Sequence, residues 1–319
     1  MKILFIGNNA ILPDYLHDSV FHGLRELGGD SVIDANKLWY LYKDANLFND
    51  ENFEKIRKPL HGWGYTYGGN LENLNIDRTN INEKIQALYF DLIIFGICRG
   101  DPKNNEKAIY DRDVLLKTAL ETYPSSKLIF LDGSDGQDIK RNDLLDKGLY
   151  FKRENTGTGY PIWFAAPKQK FNFNYSKNKL FSNNIPAHNR KNYVHLTEAS
   201  YYSDYGESFF ALTCKKGGWD CMRHYEIMSQ GTLPYFVDID NAPKETMPLI
   251  SRSFCKEVRD LIDIEYNLWN GIDLKILSQI KDLNKYKNLM DSMISQVKNL
   301  YNTETLAKYI IDTVSHENR

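Results

Sequence analysis

The stretch Ser208–Asp240, SFFALTCKKGGWDCMRHYEIMSQGTLPYFVDID, constrains the fold more than any other part of the chain. The apolar run Phe209–Leu212 enters a turn made of Lys215, Lys216, Gly217 and Gly218. A helix is expected from about Trp219 to Ser229, with Gly231 ending it. Leu233–Val237 is a second apolar run, closed by Asp238 and Asp240. Strand, glycine turn, helix, glycine turn and strand make a β-α-β unit, the building block of parallel sheets packed between helices. The strand-to-helix turn also has a chemical consequence. A helix N-terminus offers backbone N–H groups without internal partners and a partial positive charge, a natural seat for phosphate. Two lysines stand beside it. An ordinary β-α-β unit would scatter its polar residues, whereas here they gather at the turns.

The first half repeats the same grammar. Lys2–Ile6 is a short aliphatic strand followed by Gly7, Asn8 and Asn9. Leu16, Val20, Phe21, Leu24 and Leu27 recur at helical spacing, so Asp14–Leu27 reads as a helix ended by Gly28-Gly29. Ser31–Ala35 is the next strand. Leu92–Ile97 and Leu128–Leu131 are continuous apolar runs, as parallel strands covered on both faces require, with a helix at Asp113–Tyr123 between them. Leu149–Lys152 is a further short strand. Gly7 stands alone where a G-x-G-x-x-G fingerprint would begin, which argues against a nicotinamide or flavin enzyme. Polar residues follow the strands: Arg99 and Asp101, then Asp132, Ser134 and Asp135, then Arg153 and Glu154. Open α/β sheets bind their ligands at such carboxyl ends.

At 319 residues the chain suits two domains. Lys168–Lys191 is polar, basic and asparagine-rich, and marks the boundary between residues 1–170 and 171–319. Tyr193–Thr197 is expected as the first strand of the second domain. Beyond Asp240, the segments Asp273–Tyr301 and Thr303–Val314 have helical spacing. The intervening stretch Lys37–Asn82, with HGWGYTYGGN at His61–Asn70, reads as a loop lining a binding cleft. A net charge of −2 supplies no global basic field for nucleic acid. The cysteines Cys98, Cys214, Cys221 and Cys255 form no CxxC pair and have no metal-ligand spacing; buried thiols in a reducing cytoplasm are expected. MKILFIGNN reads as a first strand and not as a signal peptide. No apolar run reaches the roughly 20 residues of a membrane helix.

Arg223, His224, Tyr225, Glu226, Gly231 and Pro234 form an R-x-x-E…G-x-x-P pattern that resembles the donor-sugar half of GT-B glycosyltransferases, in particular the exostosin-like group and related bacterial enzymes. The resemblance extends more loosely to DYLHDSVFHGLREL (Asp14–Leu27), LDGSD (Leu131–Asp135) and YFKREN (Tyr150–Asn155). It implies two Rossmann-like domains facing a cleft, with the last helix crossing back onto the first domain. It also implies that Glu226 binds ribose or sugar hydroxyls and that Gly217 and Gly218 lie near a diphosphate. Where a common form of the turn has Pro-Arg-Gly, this chain has Lys215-Lys216-Gly217, so the charge is kept and the guanidinium fork is lost.

The expected chemistry is sugar transfer from a nucleotide-diphosphate sugar to a hydroxyl. Lys215, Lys216, Arg223 and the helix start at Gly218 would stabilise the departing diphosphate. Asp220, His224, Gly231 and Thr232 complete the expected donor set. Arg223 and Glu226, three apart, share a helix face and form an intrahelical ion pair in the plainer reading. Inversion needs a base: Asp18 is the first choice, with His17 and Asp132 as further candidates and Asp135 beside them, while Asp14 reads equally well as a helix cap. Asp238 and Asp240 have the Asp-x-Asp form that holds a metal in other glycosyltransferases, but their place after the Gly-x-x-Pro strand points to a metal-independent enzyme needing no cofactor. The acceptor class stays open among a glycan, a lipid-linked glycan and a modified DNA base. A non-catalytic nucleotide-sugar-binding protein and an unrelated phosphate-handling α/β enzyme are the competing classes.

Overall fold

The computed structural model describes residues 1–7, 14–45, 66–97, 106–186, 195, 197–267 and 273–317. Asn8, Asn9, Cys98, Arg99, Asp101, His188 and most of the expected strand Tyr193–Thr197 lie outside them, as do the first five residues of the His61–Asn70 stretch. The chain divides into two compact units, Met1–Trp163 with Thr303–Arg319, and Phe164–Asn302. No helix among the described residues is long and apolar enough to cross a membrane.

In the first unit, β1 (Ile3–Ile6), α1 (Tyr15–Gly28) and β2 (Val32–Asp34) are followed by α2 (Ile81–Gln86), β3 (Leu92–Ile97), α3 (Glu106–Thr122), β4 (Leu128–Asp132), β5 (Leu149–Lys152) and β6 (Tyr160–Pro161). The strands form one sheet in the order β2-β1-β3-β4-β5-β6, and all the pairings are parallel. β1 and β3–β5 are buried along their whole length, which explains their unbroken apolar sequences. Leu4, Ile6, Ile93, Phe95, Leu128 and Phe130 pack with Ile81 and Ile85 of α2 and with Leu116 and Ala119 of α3. On the other face, the Phe5 ring meets Phe21 of α1 at 5.1 Å. The C-terminal helix, Thr303–Glu317, packs along α1. The order reverses between β1 and β3, and a doubly wound sheet opens a crevice at the carboxyl ends of such a pair.

In the second unit, β7 (Lys179–Phe181), α4 (Glu198–Gly206), β8 (Ser208–Thr213), α5 (Met222–Ser229) and β9 (Leu233–Phe236) lead to α6 (Arg252–Asp260), β10 (Ile264–Asn267), β11 (Asp273–Ile276) and α7 (Leu283–Asn299). β7, β8 and β9 form a parallel three-stranded sheet, and β10 and β11 an antiparallel pair. Tyr286 of α7 packs its ring against Phe209 and Phe210 of β8, at 5.2 and 5.7 Å.

Three sequence expectations need correction here. The strand entering this sheet is β7, inside the stretch expected to be a linker, and Thr197 instead caps α4 by accepting the Ser200 N–H. Asp273–Ile276 is a strand, so the last long helix of this unit starts at Leu283 and not at Asp273. α5 begins at Met222, three residues later than Trp219, because Cys221 is extended and the residues before it are held by side chains described below.

Candidate functional site

At the switch point of the first unit, Asp14 caps α1 by accepting the N–H groups of Leu16 and His17 at 3.0 and 3.2 Å. This cap lies at the carboxyl edge of the sheet, since a Cβ on Gly133, just past β4, would sit 3.3 Å from the Asp14 carboxylate. His17 is buried and turned inward, with Nε2 3.4 Å from the Leu131 carbonyl that accepts its proton. Its ring lies flat against β3: a Cβ on Gly96 would come within 2.4 Å of it. The glycine at 96 therefore makes room for the imidazole.

Asp18 is buried and accepts a 2.5 Å hydrogen bond on Oδ1 from Tyr40. Its Oδ2 has no hydrogen-bond partner among the described residues. Burial pushes this carboxyl well above its ordinary range, against the smaller opposite pull of the Tyr40 bond. The Tyr40 phenol is pushed up as well, by burial and then by Asp18, so it stays a donor.

Asp132 is the opposite case. It is buried, and it accepts from the Ser134 N–H at 3.0 Å, the Ser134 hydroxyl at 2.6 Å, the Lys140 N–H at 3.3 Å and the Tyr150 hydroxyl at 2.8 Å. Lys152 adds an ammonium at 3.4 Å. Burial works against ionisation, but Ser134, Lys152 and Tyr150 outweigh it and hold the carboxyl below its usual range. A carboxylate so fully bonded is a poor base. The expected catalytic role of Asp132 has little geometric support, and the residue instead ties β4 to β5.

The knot continues along the β5 carboxyl end. Lys152 also donates to the Gly136 carbonyl at 2.7 Å and to the Ser134 hydroxyl at 2.8 Å. Arg153, almost fully buried, donates to the Gly133 carbonyl at 3.1 Å, to Glu154 at 2.8 Å and to Asp135 at 2.5 Å. The LDGSD and YFKREN segments, brought together by the β4–β5 pairing, thus interlock through their charges.

In the second unit the basic turn is exposed at Lys215, Lys216 and Gly217, while Gly218 is buried. The turn is closed by the Lys216 N–H donating to the Gly218 carbonyl at 3.1 Å. The Asp238 carboxylate pins it by accepting the Lys215 N–H at 3.2 Å on both oxygens. The Lys215 ammonium lies 5.1 Å from the Trp219 ring centre. Asp240 pairs with Arg259 at 2.6 Å. The Asp-x-Asp pair therefore braces its own surroundings.

Four expected donor residues turn out to be engaged in building the site. Asp220 is buried and accepts from the Phe164 N–H at 3.1 Å and the Tyr225 hydroxyl at 2.9 Å. His224 is fully buried; Nδ1 meets the Thr213 hydroxyl and Nε2 the Trp219 carbonyl, each at 2.9 Å. A carbonyl only accepts, so Nε2 carries the proton. These two side chains hold residues 219 and 220 out of the helix, which is why α5 starts late. The buried Thr232 hydroxyl bonds the carbonyls of Tyr205 and Ser208 at 2.5 and 3.2 Å. Gly231 adopts φ 63°, a left-handed conformation that glycine takes without penalty.

Arg223 and Glu226 are half-buried on α5. Glu226 accepts a 2.6 Å hydrogen bond from the hydroxyl of Tyr201 on α4. Sequence reasoning missed this tyrosine, as it missed Tyr40 opposite Asp18; in both cases the partner comes from another element with no motif of its own. Of the expected set, Lys215, Lys216 and Gly217 are exposed, and Arg223 and Glu226 are half-buried. No family model, no curated protein and no solved structure matches this chain.

Proposed function

We propose that this protein is a metal-independent glycosyltransferase of the GT-B class, working in the cytoplasm and transferring sugar from a nucleotide-diphosphate donor to a hydroxyl acceptor such as a glycan. The observation that carries the reading is the layout of the second unit. An exposed Lys-Lys-Gly turn follows the carboxyl end of β8, and α5, which begins at Met222, carries the half-buried Glu226 that accepts from Tyr201. The exposed ammonium groups of the lysines suit a diphosphate, and an oriented carboxylate suits the hydroxyls of a ribose or sugar. During transfer the acceptor oxygen bonds the anomeric carbon, the bond to the diphosphate oxygen breaks, and Lys215, Lys216 and Arg223 stabilise the charge that leaves. Asp18, with its raised affinity for a proton and an Oδ2 that has no hydrogen-bond partner among the described residues, is the best suited of the candidate bases.

A second reading, donor binding without transfer, is favoured by the burial of Asp18 to 1 % exposure and by the full bonding of Asp132. Calorimetry with UDP, GDP, ADP, CMP and their sugar conjugates, with and without EDTA, tests both. Micromolar binding of one diphosphate, unchanged by EDTA, supports the site. Release of free sugar or transfer to an acceptor then separates enzyme from binding protein. Binding that needs a divalent metal overturns the metal-independent assignment, and binding of none overturns the donor site.

A further inference from the structure

Tyr40 sits in the short turn Trp39–Leu41, within the stretch whose sequence reads as a loop lining a cleft. The chain is pinned on either side of it. The Leu38 N–H and the Tyr42 hydroxyl both donate to Asp34 Oδ2, at 3.1 and 2.8 Å. Arg78 fixes that carboxylate in turn, reaching Oδ1 through Nε at 2.8 Å and through Nη2 at 2.5 Å. The carbonyls of Tyr40 and Leu41 accept the N–H groups of Gly69 and Leu71 at 2.9 and 2.8 Å. Trp39 meets the Tyr40 ring edge-on at 5.9 Å. Held in this frame, the Tyr40 hydroxyl donates to Asp18 Oδ1 at 2.5 Å, while Asp18 Oδ2 has no hydrogen-bond partner among the described residues. We infer that Tyr40 is a positioning residue: its hydroxyl claims one oxygen of Asp18 and presents the other to the acceptor hydroxyl, so that a turn outside the sheet and its helices aims the base. This rests on Asp18 acting as the base in the transfer proposed above.

An unanchored aspartate exchanges its two oxygens by rotation about its last torsion. A bond from a buried ring on a fixed turn removes that freedom before the acceptor arrives. In the transfer step the acceptor O–H bond breaks toward Oδ2 as its oxygen bonds the anomeric carbon, and the diphosphate leaves with the electron pair of the bond it gives up. Oδ1 keeps the Tyr40 bond throughout, and that bond favours the ionised carboxylate, the form a base needs. Burial pushes the carboxyl upward most strongly, the Tyr40 bond pulls it down, and Asp14 adds a smaller upward push. Removing the Tyr40 hydroxyl therefore lets Asp18 hold its proton to a higher pH. Asp14 and Tyr15, at the start of α1, are the other titratable groups acting on the pair among the described residues, and His17 stands 3.9 Å from Asp14.

The experiment takes two readings across pH in the wild-type chain, Tyr40→Phe and Asp18→Asn. One is the release or transfer of sugar from the nucleotide conjugate that binds best. The other needs no ligand: the carboxyl NMR signal of Asp18 in protein carrying isotope-labelled aspartate, identified by its loss in Asp18→Asn. In Tyr40→Phe the midpoint of that signal and the acid limb of kcat should both move up by about one pH unit, with donor affinity unchanged. At the wild-type acid midpoint, kcat should fall about fivefold. A midpoint and a limb that stay in place in the folded variant overturn the inference and leave the base standing. A midpoint that moves without the limb also overturns it, since Tyr40 would then touch Asp18 without serving catalysis. Normal turnover in Asp18→Asn removes the base and the inference with it, and a wild type that turns over no conjugate removes the transfer reading as well. If Tyr40→Phe does not fold, a ring-fluorinated tyrosine at 40 keeps the shape and strengthens the donor. Midpoint and limb should then move down together, and unmoved values would overturn the inference.

Discussion

A Cβ added to Gly23 would lie 1.8 Å from the backbone carbonyl oxygen of Thr303. Helix α1 and the first turn of the C-terminal helix meet there, backbone to side-chain-free backbone. One residue earlier, the buried His22 binds the Thr303 hydroxyl through Nδ1 at 3.0 Å. The end of the chain is therefore keyed to α1, the helix that carries Asp14, His17 and Asp18. Gly23→Ala cannot be absorbed by a rotamer change, because the obstructing atom is backbone. A loss of roughly 1–3 kcal/mol is expected, enough to lower the melting temperature by several degrees. A melting curve unchanged from wild type would show that the two helices separate without cost.

Asp18→Asn bears on both stability and catalysis. The native carboxyl has a raised proton affinity, so it favours folding below the ordinary carboxylate range, and that contribution is lost as pH rises through the raised value. At neutral pH the asparagine variant is expected to be more stable by about 1 kcal/mol or more, with the difference vanishing near pH 4. Transfer should be abolished and donor affinity kept if Asp18 is the base. Greater stability with normal turnover would leave Asp18 as a purely internal residue.

Asp132 carries the opposite sign. Its carboxyl is held below the usual range, so its stabilisation is present above that range and disappears as acid protonates it. Asp132→Asn should destabilise the protein at neutral pH by about 3 kcal/mol, because it leaves the buried Lys152 ammonium without its carboxylate. The variant should also show a shallower loss of stability between about pH 5 and about pH 3, about one unit either side of the ordinary carboxylate pKa, measured by urea titration at each pH. Equal acid sensitivity in both chains would refute the assignment.

The parts legible in the sequence were those with an unbroken pattern. Leu92–Ile97 and Leu149–Lys152 are strands within the bounds that their apolar runs suggest, and Asp14 caps α1 as its position before a periodic segment implies. β7 was not legible because Lys179–Phe181 is short, mostly half-buried and flanked by lysine and asparagine. The start of α5 was hidden for another reason. Nothing local says that the Asp220 side chain takes the Phe164 N–H from 56 residues away, or that the His224 ring takes the Trp219 carbonyl. The candidate site divides along the same line. Lys215, Lys216 and Glu226 could be named from motif spacing, but Tyr201 looks no different from Tyr202 or Tyr205 until α4 is packed against α5.

The two turn lysines should be separable by experiment. Lys215 has its backbone N–H bound to Asp238 and its ammonium over the Trp219 ring, so its side chain is held close to the turn. Lys216 is exposed, and its backbone closes the turn onto Gly218. Lys216→Ala leaves that backbone bond in place and removes the side chain beyond Cβ, ammonium included. Affinity for a nucleoside diphosphate is expected to fall about fivefold at low salt and by less at high salt, where screening already weakens the contact. Affinity for the corresponding nucleoside should not change. Lys215→Ala removes the Trp219 contact as well, and is expected to weaken nucleoside and diphosphate binding together if the ring helps to shape the turn. Equal losses for nucleoside and diphosphate in Lys216→Ala would show that this lysine does not meet the phosphates, and would move the diphosphate toward Arg223.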